Sequence, residues 1–571
     1  MIIGLDVGGT HTDAVLLSRN GLERQIKVST DSSDLFSTVL SGLTTLLKDI
    51  PLERIERIVL STTLTTNAVV QQKVDPVGII VSAGPGIDPE FFRTDYYYPV
   101  SGSIDHRGRE RQPVDEKEIE LAGEKLKKAG IEYLGIIGKF STRNASHELI
   151  IKEVLKNKFK KIFMGHQVSG NLNFPRRIAT THLNAAVYSM HKDFFNAVYH
   201  SLKEKGLKVP IHILKADGGT MSLESSMDFP GQTILSGPAA SVMGAIAYAP
   251  EGKDTIVLDI GGTTTDISIF INQIPLLEPL GIQRGHYKSL IRSLKTYSKG
   301  IGGDSHVRVS DGNILIGPDR SGPAMAFGGH APTPTDAMVV LGIMEDGDKA
   351  KAFQGIDSIA AELGIASVDA AKKIFHQTCT AILMEAFEMV EHINHKPVYT
   401  IHEFLKGYKI KPEKILLLGG PAEYCAEEIQ DLSGIETKVV PGSNVANAIG
   451  AAAARTTCEV SLLVDTEQGV AVSPEENFKI SVPREYSEEN VRTIALGLLN
   501  QKAIASGSDP NNIEVEVIEF KKFNIVRNFI LKGKIFRTKI QVMPGLINRF
   551  KNVCENLNHI KKHRGEKENE A

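Results

Sequence analysis

Two short segments of the chain carry the same arrangement of acidic, glycine and threonine residues. Residues 6–13 read DVGGTHTD and residues 259–266 read DIGGTTTD, so the two segments differ at only two positions. Each follows an apolar run, which predicts a strand ending in an acidic side chain, a Gly-Gly-Thr turn and a second strand. A repeat separated by about half the chain indicates a duplicated domain, with two similar α/β lobes facing one cleft.

Such turns have the chemistry to bind a polyphosphate. Glycine has no Cβ, so its backbone N–H can approach a ligand closely, and consecutive amides and hydroxyls donate to phosphate oxygens. Mg²⁺ favours one or two carboxylates together with substrate phosphates, so we predict Asp6 and Asp259 as its ligands. The predicted phosphate-binding residues are Gly8, Gly9, Thr10, His11, Thr12, Gly261, Gly262, Thr263, Thr264 and Thr265. The alternative is a pair of glycine-rich hairpins whose Asp and Thr side chains only cap backbone amides.

Three further segments are rich in small residues. The run ILLLGGPA (415–422) ends an apolar strand in Gly419 and Gly420, where an adenine or ribose could lie against bare backbone. A strand-to-helix turn that requires a positive φ is the alternative. Residues 236–247 and 441–454 read as helices of small residues that could cross closely and form a hinge between lobes. Ordinary tight core packing explains them as well.

The pattern of apolar residues predicts the elements that position these motifs. We expect strands at 2–6, from 58 and at 77–84, and a helix over 34–50 with Ser33 as its N-cap. Helices at 115–129 and 147–158 alternate with strands at 134–140 and 161–165, a βαβ-like pattern. The expected division is a first lobe (1–84), an inserted α/β subdomain (85–177), a return to the first lobe with a connecting helix (178–250), a second lobe with an insertion near 280–340 (251–456), and a small C-terminal α+β appendage with a charged tail (457–571).

Composition excludes several classes of protein. Hydrophobic residues make up 42% and charged residues 23%, and the net charge is -3, so neither nucleic acid nor a membrane surface is an expected partner. The first residues lack the pattern of a signal peptide, and the four cysteines form no CxxC pair, which favours a cytoplasmic, reduced protein. The sequence contains no HExxH, GxSxG or GxxxxGK[ST] motif, so zinc hydrolysis, a nucleophile elbow and a P-loop are unsupported.

Taken together, these motifs resemble the actin, sugar-kinase and heat-shock-chaperone ATPase superfamily. Within it, the chain is most similar to the hydantoinase A/5-oxoprolinase family, on the segments STTLTTNAVVQQK (61–73), SGPAASVMGA (236–245) and GPDRSGPAMAFGGHAPTPTDAMVVLG (317–342). The resemblance covers roughly residues 1–456. It implies two RNase-H-like lobes that close on ATP and Mg²⁺. The chain departs from the family at His11, at residues 300–305, where an acidic residue replaces a glycine, and beyond residue 460.

The resemblance also implies an activity, ATP-dependent opening of a cyclic amide such as a hydantoin or 5-oxoproline. Phosphoryl transfer to the amide carbonyl oxygen would create an activated intermediate that water attacks, a reaction that needs positioning and charge neutralisation. Asp13 or Asp266 would orient a nucleophile or a loop, alongside Asp6 and Asp259. The nucleoside would contact Gly302, Gly303, Asp304, Gly419 and Gly420. Family members often act with a second subunit, so one is a possible partner.

Several alternatives stay open at this stage. Asn67 is either a helix N-cap or a contact to substrate or phosphate, and His11 contacts either phosphate or solvent. The basic turn at His106, Arg107 and Arg109 could meet an anionic substrate or lie solvated on the surface, and His166 could contact substrate or be structural. An ATPase that remodels a partner protein and a small-molecule kinase are the competing functions.

Overall fold

The computed structural model describes residues 1–8, 11–31, 34–86, 95–278, 281–284, 287–395, 409–510 and 513–547. Two of the predicted phosphate-binding residues, Gly9 and Thr10, lie outside the described residues. The charged tail beyond residue 547 lies outside them too. None of the described helices is long and apolar enough to cross a lipid bilayer.

The first half of the chain alternates strands and helices. Its strands are β1 (Ile2–Val7), β2 (His11–Ser18), β3 (Gly21–Ser29), β4 (Arg57–Thr62), β5 (Val77–Ser82), β6 (Tyr97–Pro99), β7 (Ser103–Ile104), β8 (Glu110–Gln112), β9 (Tyr133–Gly138), β10 (Lys161–Met164), β11 (Ile211–Leu214) and β12 (Thr220–Ser222). Its helices are α1 (Leu35–Leu46), α2 (Leu64–Val70), α3 (Glu116–Lys128), α4 (Ser146–Leu155), α5 (Gly165–Val168), α6 (Phe174–Glu204), α7 (Leu223–Ser226) and α8 (Ser236–Ala245).

The second half has longer helices and more short hairpins. Its strands are β13 (Asp254–Ile260), β14 (Thr265–Ile271), β15 (Ile274–Pro275), β16 (Gln283–Arg284), β17 (Tyr287–Lys288), β18 (Thr296–Lys299), β19 (Val307–Ser310), β20 (Asn313–Ile316), β21 (Pro412–Leu418), β22 (Glu436–Val439), β23 (Glu459–Asp465), β24 (Val470–Ser473), β25 (Phe478–Ser481), β26 (Val515–Arg527) and β27 (Ile530–Val542). Its helices are α9 (Pro334–Val340), α10 (Lys349–Leu363), α11 (Ser367–His395), α12 (Ala422–Ser433), α13 (Ala446–Ala453) and α14 (Glu488–Ala505).

The two copies of the sequence repeat lie in two sheets with matching connections. The first sheet has the strand order β12-β11-β4-β1-β2-β3, and β1 runs antiparallel to β2 and parallel to β4. In the second, β15-β14-β13-β21-β22 form the main path and β18 pairs with β14. Here β13 runs antiparallel to β14 and parallel to β21. The first hairpin and the next parallel strand are therefore arranged alike in both sheets.

A separate parallel sheet, with the order β10-β9-β5-β6, contains the βαβ-like segment that the sequence predicted. Strand β5 pairs with β6 and β9 in this sheet. The division expected from the sequence assigns residues 77–84 to the first lobe, whereas β5 pairs here with β6 and β9 and not with the strands of the first sheet. The reason is that a fully buried apolar strand carries no local mark of the sheet it joins.

The chain described after residue 457 forms a five-stranded sheet with the order β25-β24-β23-β27-β26. Helix α14 packs on one face of it through Val491, Ala495 and Leu499, which share an apolar cluster with Val460 and Phe536. The α+β character expected for this part of the chain is thus present in the described residues.

Helices α8 and α13 cross between the two large sheets with their backbones almost in contact. A Cβ placed on Gly450 of α13 would overlap the Ala240 carbonyl and the Gly244 amide of α8. Strand β1 approaches just as closely, since a Cβ on Gly4 would overlap the carbonyl of Ala448. The small-residue helices therefore do cross closely, as their composition predicted, and they belong to one apolar cluster with strands of both sheets.

One helix start differs from the prediction by a residue. Helix α1 is capped by Asp34, whose side chain accepts a hydrogen bond from the Ser37 amide. The predicted cap, Ser33, lies outside the described residues. Both residue types are good N-caps, so the sequence pattern alone could not choose between neighbouring positions.

The crossing of α8 and α13 gives a prediction about stability. Gly450→Ala should lower the free energy of unfolding by about 1–3 kcal/mol, because the added methyl group must push two backbones apart. Gly497→Ala on α14 is the matched control, since no atom lies within 4 Å of a Cβ at that position. The control should gain about 0.5–1 kcal/mol from helix propensity. Urea unfolding of both variants measures the difference, and equal effects would contradict a close crossing.

Candidate functional site

The two Asp-led hairpins have the same register. Asp6 lies directly opposite Asp13 across β1 and β2, and Asp259 lies directly opposite Asp266 across β13 and β14. Residues opposite each other in an antiparallel pair have their Cβ atoms about 4.5–5.5 Å apart on the same face of the sheet. Each hairpin therefore presents two carboxylates side by side.

The turns of the hairpins also match. The Gly8 amide donates to the His11 carbonyl at 3.0 Å, and the Gly261 amide donates to the Thr264 carbonyl at 2.9 Å. The same hydrogen bond thus closes a four-residue turn in each copy. The sequence repeat is a structural repeat down to the hydrogen bonding of its turn.

Helices α8 and α13 bring the two hairpins together. The side-chain amide of Asn447, on α13, lies close enough to Asp6 and Asp259, one from each sheet, to lower the pKa of both. Ser241 of α8 donates to Asp259 Oδ2 at 2.5 Å. The aspartates also interact across the gap, since the charge of Asp259 raises the pKa of both Asp6 and Asp13. Both hairpins therefore face one shared cleft.

Burial and mutual repulsion shift the ionisation of these carboxyls. Burial, followed by the charge of Asp13, raises the pKa of Asp6 to about 6. Burial, followed by the charge of Asp259, raises the pKa of Asp266 to about 7. Burial also raises the pKa of Asp13 and Asp259, against the lowering effect of their hydrogen bonds. Such clusters, with pKa values moved toward neutrality, are typical of functional sites.

The second aspartates of the two hairpins, Asp13 and Asp266, have different partners on the neighbouring outer strands. Lys27 of β3 lies opposite Asp13 and forms an ion pair with it at 3.0 Å. Ser298 of β18 lies opposite Asp266 and donates a short hydrogen bond to it. A lysine neutralises its carboxylate and a serine does not, so Asp266 has the environment better suited to hold or release a proton near neutral pH.

Two loops pack directly on the second hairpin turn. The Gly303 amide donates to the Gly261 carbonyl at 2.9 Å, and the Asp304 amide donates to the Gly262 carbonyl at 2.6 Å. Gly419 has a φ of +91°, and a Cβ there would overlap the backbone that follows Asp259. This confirms the strand-to-helix turn with positive φ. It also brings Gly302, Gly303 and Gly419 to the edge of the cleft.

The side chain of Asp304 is held by a cation at the edge of the cleft. Arg320 forms an ion pair with it at 2.8 Å. His11, on the opposite hairpin, is close enough for both charges to affect its pKa, which burial and Lys27 lower. His11 is exposed and faces this pair across the gap. The departures from the family at His11 and Asp304 therefore lie near each other.

Two of the predicted phosphate-binding hydroxyls form hydrogen bonds within the protein. The Thr12 hydroxyl is buried and hydrogen-bonds to Thr30, and the buried Thr265 hydroxyl donates to the Ile301 carbonyl. These contacts correct the prediction of free donors at both positions, because strand register turned the hydroxyls away from the turn. Thr263 and the exposed Thr264 keep that role open. Asn67 is exposed in the interior of α2, whose N-cap is Thr63, so it is not a cap.

The cleft has a feature suited to a cation. Asp6 Oδ1 is buried, and it has no hydrogen-bond partner among the residues that the structure describes. An uncompensated buried carboxylate oxygen is costly, so a cation bound at this point would stabilise it. Within the same residues, no group of three or more His, Cys, Asp or Glu side chains could by itself hold a metal ion. The carboxylates thus fit Mg²⁺ only together with ligand oxygens.

A polar cavity of about 430 Å³ opens at the same edge of the first sheet. The loop after β11 supplies Lys215 and Asp217, a buried ion pair at 3.1 Å. Strand β11 lies two strands from β1, so this loop is about 10 Å from the strand that carries Asp6. The remaining walls come from α6, at Asn184, and from the C-terminal part of the chain, at Cys458.

Sequence reasoning missed several of these residues. Asn447 and Lys27 are isolated polar residues in unremarkable contexts, and only the tertiary fold brings them to the aspartates. Lys215 and Asp217 do precede two glycines, in KADGGT, which is a signal that could have been used. His166 is buried and hydrogen-bonded to Glu148 at 2.5 Å, so it is structural, the alternative that we left open.

The fold and site together describe an α/β protein in which two matching acidic hairpins share a cleft. Comparison with known proteins gives the family. The hydantoinase/oxoprolinase N-terminal region matches residues 2–159, and hydantoinase/oxoprolinase matches residues 177–460. The chain belongs to the hydantoinase/oxoprolinase family.

Individual relatives are distant. Over 386–389 residues, 60% of this chain, it is 27% and 25% identical to an uncharacterised protein of Methanocaldococcus jannaschii and to the caprolactamase subunit alpha of Pseudomonas jessenii. These matches span only 56% and 55% of the length of those relatives. A structure of acetone carboxylase, described with ATP-dependent acetone carboxylation, is 18% identical, with a TM-score of 0.70 over 96% of this chain and 88% of that one. This last likeness shows a shared fold.

The raised pKa of Asp266 predicts how stability depends on pH without divalent cations. Between the ordinary value of 3.8 and about 7, the folded carboxyl holds a proton that the unfolded chain has released. Stability should therefore fall as pH rises through this range, by at most about 1.4 kcal/mol per pH unit for one proton. Asp266→Asn should flatten this fall, as measured by urea unfolding in EDTA.

Asp431→Asn, at an exposed position on α12, is the control and should follow the wild-type curve. Parallel curves for Asp266→Asn and the wild type would show that Asp266 ionises normally.

Proposed function

We propose that this chain is the ATP-using component of an enzyme that opens a cyclic amide, with a second subunit as a possible partner. The observation that carries the proposal is the convergence of two Asp-led hairpins on one cleft, with Asn447 beside the first aspartate of each. Family membership and the caprolactamase relative support the choice of a cyclic amide as substrate.

The two large sheets are, in this proposal, the cores of two RNase-H-like lobes of the actin-like ATPase type. Their matching strand connections support this assignment. The sheet that begins near residue 77 is then an insertion in the first lobe, the segment from 178 to 250 returns to that lobe, and the second lobe extends from 251 to 456. The C-terminal sheet is an appendage to both.

ATP would lie with its phosphates between the hairpin turns. The amide of Gly262 and the hydroxyls of Thr263 and Thr264 would donate to phosphate oxygens. The amides of Gly8 and Gly261 already close the two turns, so these glycines would serve by letting the phosphates approach the backbone closely. Gly9 and Thr10 stay predictions for phosphate binding. The nucleoside would lie along the two loops that carry Gly302, Gly303, Asp304, Gly419 and Gly420, because they line the edge of the cleft on the side of the second turn.

Mg²⁺ would be held by Asp6 and Asp259, directly or through water, together with phosphate oxygens. Its charge would offset the repulsion between the buried carboxylates and neutralise charge on the transferred phosphoryl group. Ser241 orients Asp259 for this role by a hydrogen bond to its Oδ2, and Asn447 lies beside both carboxylates.

The chemistry then follows from the electrophile. The amide carbonyl oxygen attacks the γ-phosphorus of ATP. The bond between the γ-phosphorus and the bridging oxygen breaks, and ADP leaves. Water adds to the activated carbon, and collapse of this adduct breaks the ring C–N bond, which frees the amine and leaves an acyl phosphate. A second water then hydrolyses the acyl phosphate, giving the ring-opened amino acid and free phosphate. Asp266, whose pKa is raised to about 7, can take a proton from the attacking water.

The cyclic amide would occupy the cavity behind Lys215. It is partly open, is lined by both polar and apolar side chains and has a volume of about 430 Å³, which suits a small ring with polar groups. The buried pair of Lys215 and Asp217 offers a donor and an acceptor, the two groups needed to bind the C=O and N–H of an amide.

Loss of the proposed metal ligand gives a direct test. Asp259→Ala should abolish hydrolysis of Mg-ATP, at least about 100-fold, because the phosphoryl group loses its positioned cation. ADP release is measured with hydantoins, 5-oxoproline, caprolactam and sugars as candidate acceptors, and circular dichroism checks the fold.

Asp311→Asn is the control, because this residue lies in the exposed β19–β20 turn at a φ of +50° that asparagine also tolerates. Turnover should be unchanged. ADP release stimulated by a cyclic amide that stays closed would reject ring opening, and a stable phosphorylated product would indicate a kinase. Unchanged hydrolysis in Asp259→Ala would reject the metal assignment.

The amide cavity is tested separately from the nucleotide site. The double variant Lys215→Met with Asp217→Asn removes both charges, so no buried ion is left unpaired. It should raise the KM for the cyclic amide by about tenfold or more, the loss expected for one or two hydrogen bonds to substrate. Binding of Mg-ATP, measured by calorimetry, should not change. An unchanged KM would place the ring elsewhere.

A further inference from the structure

A larger cavity, unrelated to the central cleft, separates the inserted segment from the C-terminal sheet. Its volume is about 1180 Å³. One wall is the loop between β9 and α4, and the opposite wall is formed by β23 to β27. Loops at the carboxyl ends of parallel strands are common places for ligands in α/β proteins, and β9 is a central strand of its sheet.

Arg143, in the loop after β9, lines this cavity, and the Nε of its guanidinium is unsatisfied. Its Nε is buried and has no hydrogen-bond partner among the described residues, and none of them forms an ion pair with its side chain. Burial, followed by the charge of Arg537, lowers the pKa of Arg143 to about 10. A partly buried, unpaired arginine is costly, so its environment is incomplete without an anion.

Arg537 of β27 lines the same cavity from the opposite wall. Two arginines facing each other repel, and the guanidinium fork of each matches a carboxylate or a phosphate. The pair therefore presents two guanidinium groups to one cavity, close enough for the charge of Arg537 to lower the pKa of Arg143.

The acidic groups near Arg143 are committed to other partners. Asp465 Oδ2 accepts from Arg107 at 2.8 Å, and Asp465 Oδ1 accepts from two backbone amides. Glu467 pairs with Arg107 at 2.6 Å and with Arg527 at 3.2 Å. The basic turn at Arg107 thus joins the inserted segment to the C-terminal sheet. We had left open a contact to an anionic substrate and a solvated surface turn, and neither describes this role.

Further lining residues complete the picture. Lys479 and His106 add to the excess of basic groups in this cavity. Arg143 and Arg537 also line a smaller neighbouring cavity with Glu519, which pairs with Lys521 at 3.3 Å, and with Glu475, which accepts from the Ser461 amide at 2.6 Å. Beside the arginines the wall is apolar, with Phe140, Phe523 and Ile525. A bare inorganic ion would leave that apolar surface unused.

We propose that this cavity binds a small organic anion, with a carboxylate or phosphate head between Arg143 and Arg537 and an apolar body against the phenylalanines. The two arginines belong to different parts of the chain, the inserted segment and the C-terminal sheet. Binding therefore ties these two parts together at a second point beside the Arg107 ion pairs.

Calorimetry on the full-length protein without nucleotide tests the site. Benzoate and phenyl phosphate are the probes, benzamide is the neutral counterpart of benzoate, and inorganic phosphate lacks the apolar body. At least one of the two organic anions should bind with a Kd below about 1 mM. Benzoate should bind more tightly than benzamide, or phenyl phosphate more tightly than inorganic phosphate. Arg143→Gln and Arg537→Gln should each weaken that binding by tenfold or more.

Arg109→Gln is the matched control, because Arg109 lies in the neighbouring turn and pairs with Asp105 at 2.9 Å. Its binding should equal that of the wild type. Failure of both organic anions to bind, equal binding of benzamide and benzoate, or binding that is insensitive to both cavity variants would overturn the proposal.

Thermal unfolding gives an independent readout. In low salt and without ligand, Arg143→Gln should raise the Tm, because it removes a desolvated charge that faces another arginine. With a saturating organic anion, the wild type should have the higher Tm. A purely structural arginine would instead lower the Tm on removal under both conditions, which would also contradict the proposal.

Discussion

Repulsion between buried carboxylates is the constraint around which the central cleft is built. Burial raises the pKa of Asp6, Asp13, Asp259 and Asp266, and the charge of Asp259 raises the pKa of the other three further. A protein retains such a cluster only where its cost is offset, by a cation or by use of the shifted ionisation. Asp13, Asp259 and Asp266 each have a hydrogen-bond partner from a different element, Lys27, Ser241 and Ser298, and these contacts hold the cluster together.

Packing that touches no ligand sets the geometry of this cluster. Gly244 and Gly450 allow α8 and α13 to cross backbone to backbone, and Gly4 allows β1 to lie against α13. The same two helices carry Ser241 and Asn447, whose side chains contact the aspartates. Because the helices also contact both large sheets, a change in their crossing would move the two hairpins relative to each other. The stability of the core and the spacing of the site are therefore coupled.

The sequence predicted those features that depend on local pattern. The duplicated hairpins, the role of Gly419 in a turn and the close helix crossing all follow from short runs of residues. Features that depend on register or on distant contacts were not predictable in this way. The Thr265 hydroxyl points to the Ile301 carbonyl because of strand pairing. Asn447 lies near both aspartates only because of the tertiary fold, and tertiary packing also determines which sheet β5 joins.

The central claim, that the two hairpins bind one polyphosphate, is tested most directly by a crystal structure of the protein with Mg²⁺ and a non-hydrolysable ATP analogue. The account predicts density for the triphosphate between residues 6–13 and 259–266, with the metal ion beside Asp6 and Asp259. A nucleotide bound at another surface, with the cleft between the hairpins filled only by solvent, would contradict it.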